Sequence, residues 1–154
     1  MADPKRHTVI EALKTRLQTI TTANGFYNDL ATRIDVWRVT PYLPAELPRV
    51  NITDSEDTLT TELINTGSIQ DWQLRVNVYV MVPITAVLTL RKLIADIYNA
   101  VGGFRTGVDA SLGGAATWVY PERDTIELDQ EEAKLATATI TLLIHYRYNK
   151  YAEA

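Results

Sequence analysis

The side chains that most often serve as general bases or metal ligands are sparse in this chain of 154 residues. It has no cysteine, which excludes thiol catalysis, disulfides and cysteine-based zinc sites. The two histidines, His7 and His145, lie at opposite ends of the sequence. His7 falls at a predicted helix start and His145 on the outer side of a predicted strand, so a solvated or packing role is favoured over base or ligand chemistry for both.

The acidic group Asp54, Glu56 and Asp57 comes nearest to a metal-binding pattern. A calcium loop needs a supporting glycine and a later glutamate, and both are missing, so we expect a solvated turn. The glycine pairs 102–103 and 113–114 follow a predicted helix, whereas a phosphate cradle requires glycines at a helix N-terminus. The sequence therefore predicts a non-enzymatic protein without catalytic residues, a cofactor or a metal.

The C-terminal aromatic residues Tyr146, Tyr148 and Tyr151 alternate with Arg147 and Lys150, a pattern that could stack nucleic-acid bases. The net charge of −4, with acids and bases interspersed, argues against a nucleic-acid surface. A packing or subunit contact is the favoured interpretation, and we expect no sequence-specific nucleic-acid partner.

Composition indicates one ordinary domain over residues 1–154, with 46% hydrophobic and 22% charged residues. No run of about eighteen apolar residues is present, and Met1 to Arg6 lacks the apolar core of a signal peptide. We therefore expect neither membrane insertion nor export.

The stretch from Asp71 to Val101 organises the predicted fold. From Trp72 to Val82 apolar and polar or amphipathic residues alternate, which predicts a strand with one buried face. Pro83 ends this strand, and Thr85 offers an N-cap oxygen for the helix that follows. The apolar stripe predicted for that helix comprises Val87, Leu90, Ile94, Ile97 and Val101.

An earlier helix is predicted from the capping-box spacing of Thr8 and Glu11 and from an apolar stripe that extends to Ile20. Shorter strands and one long final strand are predicted at Asp35–Val39, Arg49–Thr53, Leu59–Ile64, Thr117–Tyr120, Thr125–Leu128 and Leu135–Tyr148. This order predicts an α+β fold, a mostly antiparallel β-sheet with two amphipathic helices packed on one face.

The open side of this sheet and two long loops are the candidate subunit or partner surfaces. Amphipathic residues on the outer sides of the two long strands suit contacts between chains better than a reaction centre. The loops cover residues 40–48, which contain three prolines, and residues 102–116, which contain five glycines. The candidate interface residues are Arg75, Tyr79, Met81, Leu143, Tyr42 and Arg105.

One local phrase carries a family resemblance. The helix-like segment Ile10–Phe26 contains Ile-Thr-Thr-Ala-Asn-Gly at residues 20–25 and is followed by Val36-Trp37-Arg38 and Leu47-Pro48. This series resembles the start of small tail proteins of tailed bacteriophages, the tail-terminator or tail-completion group of minor tail proteins. The strand-then-helix centre and the long final strand are similar to the α+β fold of that group.

The resemblance implies a structural protein of the virion tail or neck, assembled in the host cytoplasm. Such proteins form a ring, typically a hexamer, at the head-proximal end of the tail tube, where they stop polymerisation and present a joining surface. The implied partners are further copies of the chain, the tail tube protein, the head-side connector or stopper and, in a contractile tail, the sheath. A head-completion or stopper protein that binds the portal side is the alternative.

Overall fold

The structure is a computed structural model that describes residues 4–60, 69–102, 110–131 and 134–149. Two short 3₁₀ turns, at Thr22–Asn24 and Pro44–Glu46, accompany the main elements within these ranges. In chain order the main elements are α1 (Lys5–Leu17), β1 (Ile34–Val36), β2 (Arg49–Leu59), β3 (Ile69–Pro83), α2 (Val87–Ala100), β4 (Trp118–Asp129) and β5 (Leu135–Asn149).

The strands that the structure describes form one sheet in the order β1-β2-β3-β5-β4. β3 and β5 pair antiparallel along their whole length, from Ile69 opposite Asn149 to Pro83 opposite Leu135. β2 and β4 pair antiparallel on either side of them, and β1 alone runs parallel to its neighbour. The predicted α+β class with a mostly antiparallel sheet is therefore confirmed.

The core lies between the two helices and one face of the sheet. Alternate residues of β3 and β5 are fully buried there, as the strand period of two requires. The buried residues of these two strands include Leu74, Val76, Val78, Val80, Val82, Ala136, Ala138, Ile140, Leu142 and Ile144. Each fully buried valine or leucine contributes about 1.5–3 kcal/mol relative to an exposed one, so this alternation fixes the register.

The first helix begins earlier than its capping-box spacing predicts. α1 starts at Lys5 with Pro4 as its N-cap, and Thr8 lies inside the helix, where its hydroxyl donates to the Pro4 carbonyl. The predicted N-cap at Thr8 is wrong: the helix begins three residues earlier, at Lys5, and Pro4 occupies the N-cap position without a side-chain cap bond. α2 likewise has Ala86 rather than Thr85 at its N-cap.

The acidic group is not a turn, and this prediction is wrong. β2 continues through it, with a bulge between Asp54 and Glu56. Three cationic or hydroxyl groups from other elements meet these carboxylates, so the strand can hold them without a solvated loop. The pairs are Arg6 with Asp54, Arg75 with Glu56, and Tyr146 with Asp57.

Proline does not divide the last part of the sheet as predicted. β4 is one strand across Pro121, with a bulge between Pro121 and Arg123. An edge strand tolerates proline because one side of its backbone has no strand to bond. Of the strand predicted at Leu59–Ile64, residues 61–64 lie outside the described residues.

Candidate interaction surface

Four of the predicted interface residues share one face of the sheet, opposite the helices, which we call the outer face. Arg75, Tyr79 and Met81 lie on β3, and Leu143 of β5 is directly opposite Arg75. All four are partly buried rather than fully solvated. The alternation in the sequence therefore predicted correctly that these four side chains share one face of the sheet. Arg105, another predicted interface residue, lies outside the described residues.

Arg75 ties three strands together across the outer face. Its guanidinium forms an ion pair with Glu122 of β4 and lies 3.8 Å from a Glu56 carboxylate oxygen of β2. Exposed pairs of this kind contribute little to stability, but they set the charge pattern of the surface. Arg75 is therefore held by its own subunit, with a third of its side chain exposed for a partner.

An aromatic corner lies next to Arg75, where β4 begins. The Trp118 ring centroid is 5.4 Å from that of His145 and 6.4 Å from that of Tyr120. Burial lowers the pKa of His145 and outweighs the opposite effect of the Asp71 carboxylate. Trp118 and Tyr120 remain 51% and 54% exposed, which is unusual for side chains with so much apolar area.

The other end of the outer face holds a groove of about 260 Å³. Its floor includes Tyr79 and Met81, and its wall is the segment 38–42 that follows β1. Tyr42 lies in this wall, so the fold brings three predicted interface residues together. The remaining lining residues are Arg38, Val39, Thr40, Pro41, Asn51, Leu135 and Thr137.

Tyr42 is fixed by a charged network rather than left free. Its hydroxyl donates to Asp35 Oδ2 at 2.7 Å, and Arg49 Nη2 donates to the same oxygen at 2.8 Å. The Arg38 guanidinium stacks 4.1 Å from the Tyr42 ring centroid. Burial would raise the pKa of Asp35, but these hydrogen bonds and the neighbouring arginines outweigh it and lower that pKa.

A bidentate ion pair holds the segment 38–42, the wall of the groove, against Glu46. Arg38 Nη1 and Nη2 donate to the two carboxylate oxygens of Glu46 at 3.0 and 3.1 Å. Hydrogen bonds from Arg38 and from the Leu43 backbone lower the pKa of Glu46. The proline-containing loop is therefore an ordered structure built on Arg38.

Asn51 explains why β1 ends sooner than predicted. Its side-chain amide accepts from the Arg38 backbone N–H at 3.1 Å and donates to the Arg38 carbonyl at 3.0 Å. Trp37 has φ 54°, which turns the chain out of the strand direction. The strand-like sequence from Asp35 to Val39 contains no signal for this side-chain bridge.

Asp96 is a second residue that the sequence reasoning missed. It is 1% exposed on α2 and accepts from the backbone N–H groups of Tyr27 and Asn28, each at 3.0 Å. The Asn28 side-chain amide adds a third bond at 2.9 Å. A carboxylate inside an apolar helix stripe is the one sequence signal that could have indicated this anchor.

Among the described strands, β4 is an edge of the sheet, and it carries apolar side chains on both faces. Trp118 and Tyr120 point to the outer face, while Ile126 and Leu128 lie on the helix side and are 45% and 52% exposed. In the sheet as described, β5 is the only strand that pairs with β4. A long edge of this kind is a template for another chain.

In the described parts of the chain, no three histidine, cysteine, aspartate or glutamate residues are grouped as a metal site would require. The helices found there are also too short or too polar to span a membrane.

Comparison with known proteins gives a likeness of fold. No family model and no curated protein matches the sequence. Among solved structures, a chain of the "Virion of native gene transfer agent (GTA) particle" superposes with a TM-score of 0.58 at 11% identity. The likeness covers 89% of this chain and 92% of that chain, so nearly the whole fold is shared.

Proposed function

We propose that this chain is a non-enzymatic structural protein of a phage-like virion. The observation that carries the proposal is the likeness of fold to a chain of a gene transfer agent virion, which covers 89% of this chain and 92% of that chain. The sequence segment at residues 20–25, which resembles small phage tail proteins, supports the same role independently. The protein would belong to the tail or neck of the particle.

Within the virion, we propose a ring at the head-proximal end of the tail tube. The ring would stop tube polymerisation and offer the joining surface for the head-side connector. A closed ring needs two different, complementary surfaces on each subunit. The described sheet supports this requirement because its two edges, β1 and β4, differ in length, charge and side chains.

The partners of such a ring are further copies of the chain, in a hexamer by resemblance to tail terminators, the tail tube protein and the connector or stopper. A contractile tail would add the sheath. The outer-face groove and the aromatic corner are the surfaces that we assign to these contacts, because both expose aromatic or thioether groups that suit interfaces.

A head-completion or stopper protein is the second candidate function. It would share the size and the open sheet but bind the portal side.

Copurification separates the two functions. The tagged protein is incubated with purified tail tubes and, separately, with DNA-filled heads that lack tails. We expect stoichiometric recovery with tubes, bound at one end of each tube. Recovery with heads alone would favour the stopper function, and recovery with neither would contradict both.

A further inference from the structure

The two edges of the sheet have compatible directions. β1 and β2 run one way, β3 the other way, β5 with β2, and β4 with β3. A second copy placed in the plane of the sheet, with its outer face on the same side, would therefore bring its β1 antiparallel to β4 of the first. Antiparallel strands exchange hydrogen bonds that run perpendicular to the strands.

Exposed apolar side chains concentrate on β4 and on the segment that directly follows β1. Of the nine large hydrophobic residues exposed in the described regions, four lie on β4 and three lie in residues 37–43 directly after β1. We call β1 together with residues 37–43 the N-terminal flank. Its exposed residues are Trp37, Val39 and Leu43, with exposures of 55%, 88% and 67%.

Formal charge differs between the two edges. β4 contains four carboxylates and one guanidinium, a charge of −3. The N-terminal flank, residues 34–43, contains one aspartate and one arginine, Asp35 and Arg38, a charge of 0. A β4 strand that meets this flank therefore avoids the repulsion between like charges that would arise between two β4 strands.

We propose that β4 of one copy docks along the N-terminal flank of a second copy and extends the sheet across the subunit boundary. The occupant of the β4 edge is thus another copy of this chain, in a heterologous contact. This inference rests on the self-assembly in the proposed function and adds which surfaces meet.

The same charges disfavour the symmetric alternative. Two β4 strands paired with each other would place Glu122, Asp124, Glu127 and Asp129 of one copy near the same acids of the other. Like charges across a strand pair are destabilising. A twofold β4 dimer is therefore not the expected product.

The absence of native cysteine makes a directed cross-linking test possible. The double variant Ala31→Cys/Thr125→Cys places one thiol just before β1 and one in the middle of β4, both at exposed positions. A flexible bismaleimide linker tolerates a shift in register between the two strands. The control is Leu88→Cys/Thr125→Cys, whose first thiol lies on α2 and whose native leucine is 65% exposed.

We expect a ladder of covalent multimers from Ala31→Cys/Thr125→Cys, at least tenfold more than from the control. Thr125→Cys alone should give no covalent dimer. A dimer from that single variant, or equal ladders from the two double variants, would overturn the proposed contact.

Mass measurement separates the failure of this contact from the failure of the proposed function. Multimers by mass photometry without the expected ladder would overturn the edge contact and leave the ring intact. A monomer at every concentration, both alone and on added tail tubes, would overturn both.

Discussion

At the scale of single residues, Asp96 is the clearest test of the structure. Asp96→Ala removes the carboxylate that accepts from Tyr27 and Asn28 and leaves their N–H groups without that acceptor. We expect the free energy of unfolding to fall by about 2 kcal/mol in urea titrations. The matched control is Glu11→Ala, an exposed helix position, which should change stability by less than about 0.5 kcal/mol.

The paired carboxylates make stability depend on acid pH. The pKa values of Asp35, Glu46 and Asp54 lie below their ordinary values of 3.8, 4.5 and 3.8. For Asp54, burial acts in the opposite direction but is outweighed by hydrogen bonds from Trp37 and Arg6. The unfolded chain therefore binds more protons in acid, so this stability is present above about pH 4.5 and is lost as the pH falls through the folded-state pKa values.

Asp35→Asn should reduce the acid-induced loss, measured as the slope of unfolding free energy against pH between about pH 5 and pH 3. Glu127→Gln, at an exposed position on β4, is the control and should leave the slope unchanged. A wild-type slope in Asp35→Asn would contradict the network around Tyr42.

At the scale of elements, the loop at residues 40–48 depends on Arg38. Arg38→Lys keeps the charge but loses the two-pronged contact with Glu46 and the planar stacking on Tyr42. We expect amide exchange in residues 38–47 to accelerate at least tenfold, while exchange in β3 stays unchanged. The control is Lys14→Arg on α1, which also exchanges one cationic side chain for the other. It should leave amide exchange unchanged both in residues 38–47 and in β3.

The exposed leucines of β4 and α2 provide a matched pair for assembly. Leu128→Gln removes apolar surface from the β4 edge, and Leu88→Gln removes a similarly exposed leucine from the helix layer. If β4 is an interface, Leu128→Gln raises the Kd of self-association roughly tenfold, which corresponds to a loss of about 1.4 kcal/mol in binding free energy. Sedimentation equilibrium measures this change, and an equal loss in both variants would argue against β4 as the contact.

Elements with strong periodicity could be predicted, and those governed by long-range partners could not. The alternation over Trp72–Val82 and Leu135–Tyr148 predicted the two central strands and their buried faces correctly. A shift of one residue in the strand register would turn every core residue of a strand to the solvent face, so the pattern specifies the register strongly. The acidic part of β2 and the strand across Pro121 were missed. The acidic part of β2 depends on the distant partners Arg6 and Arg75, and the strand across Pro121 depends on the edge position of β4. No local sequence pattern indicates either.

At the scale of the whole molecule, only part of the candidate interaction surface could be predicted from the sequence. The strand period placed Arg75, Tyr79 and Met81 on one face, but it could not indicate that residues 38–42 fold over part of that face. The β4 edge also escaped prediction, since strand order depends on topology rather than on the composition of one strand. The exposed part of the outer face is therefore smaller than the sequence indicates, because residues 38–42 cover some of it. The β4 edge exposes more apolar surface than the sequence indicates.

Electron microscopy of the purified protein, alone and mixed with tail tubes, decides whether this chain forms a ring that caps the tube. We expect closed rings of one size in class averages, with one ring capping one end of each tube and the tubes no longer elongating when tube subunits are added. Single subunits alone, together with tubes that continue to grow from bare ends, would contradict it.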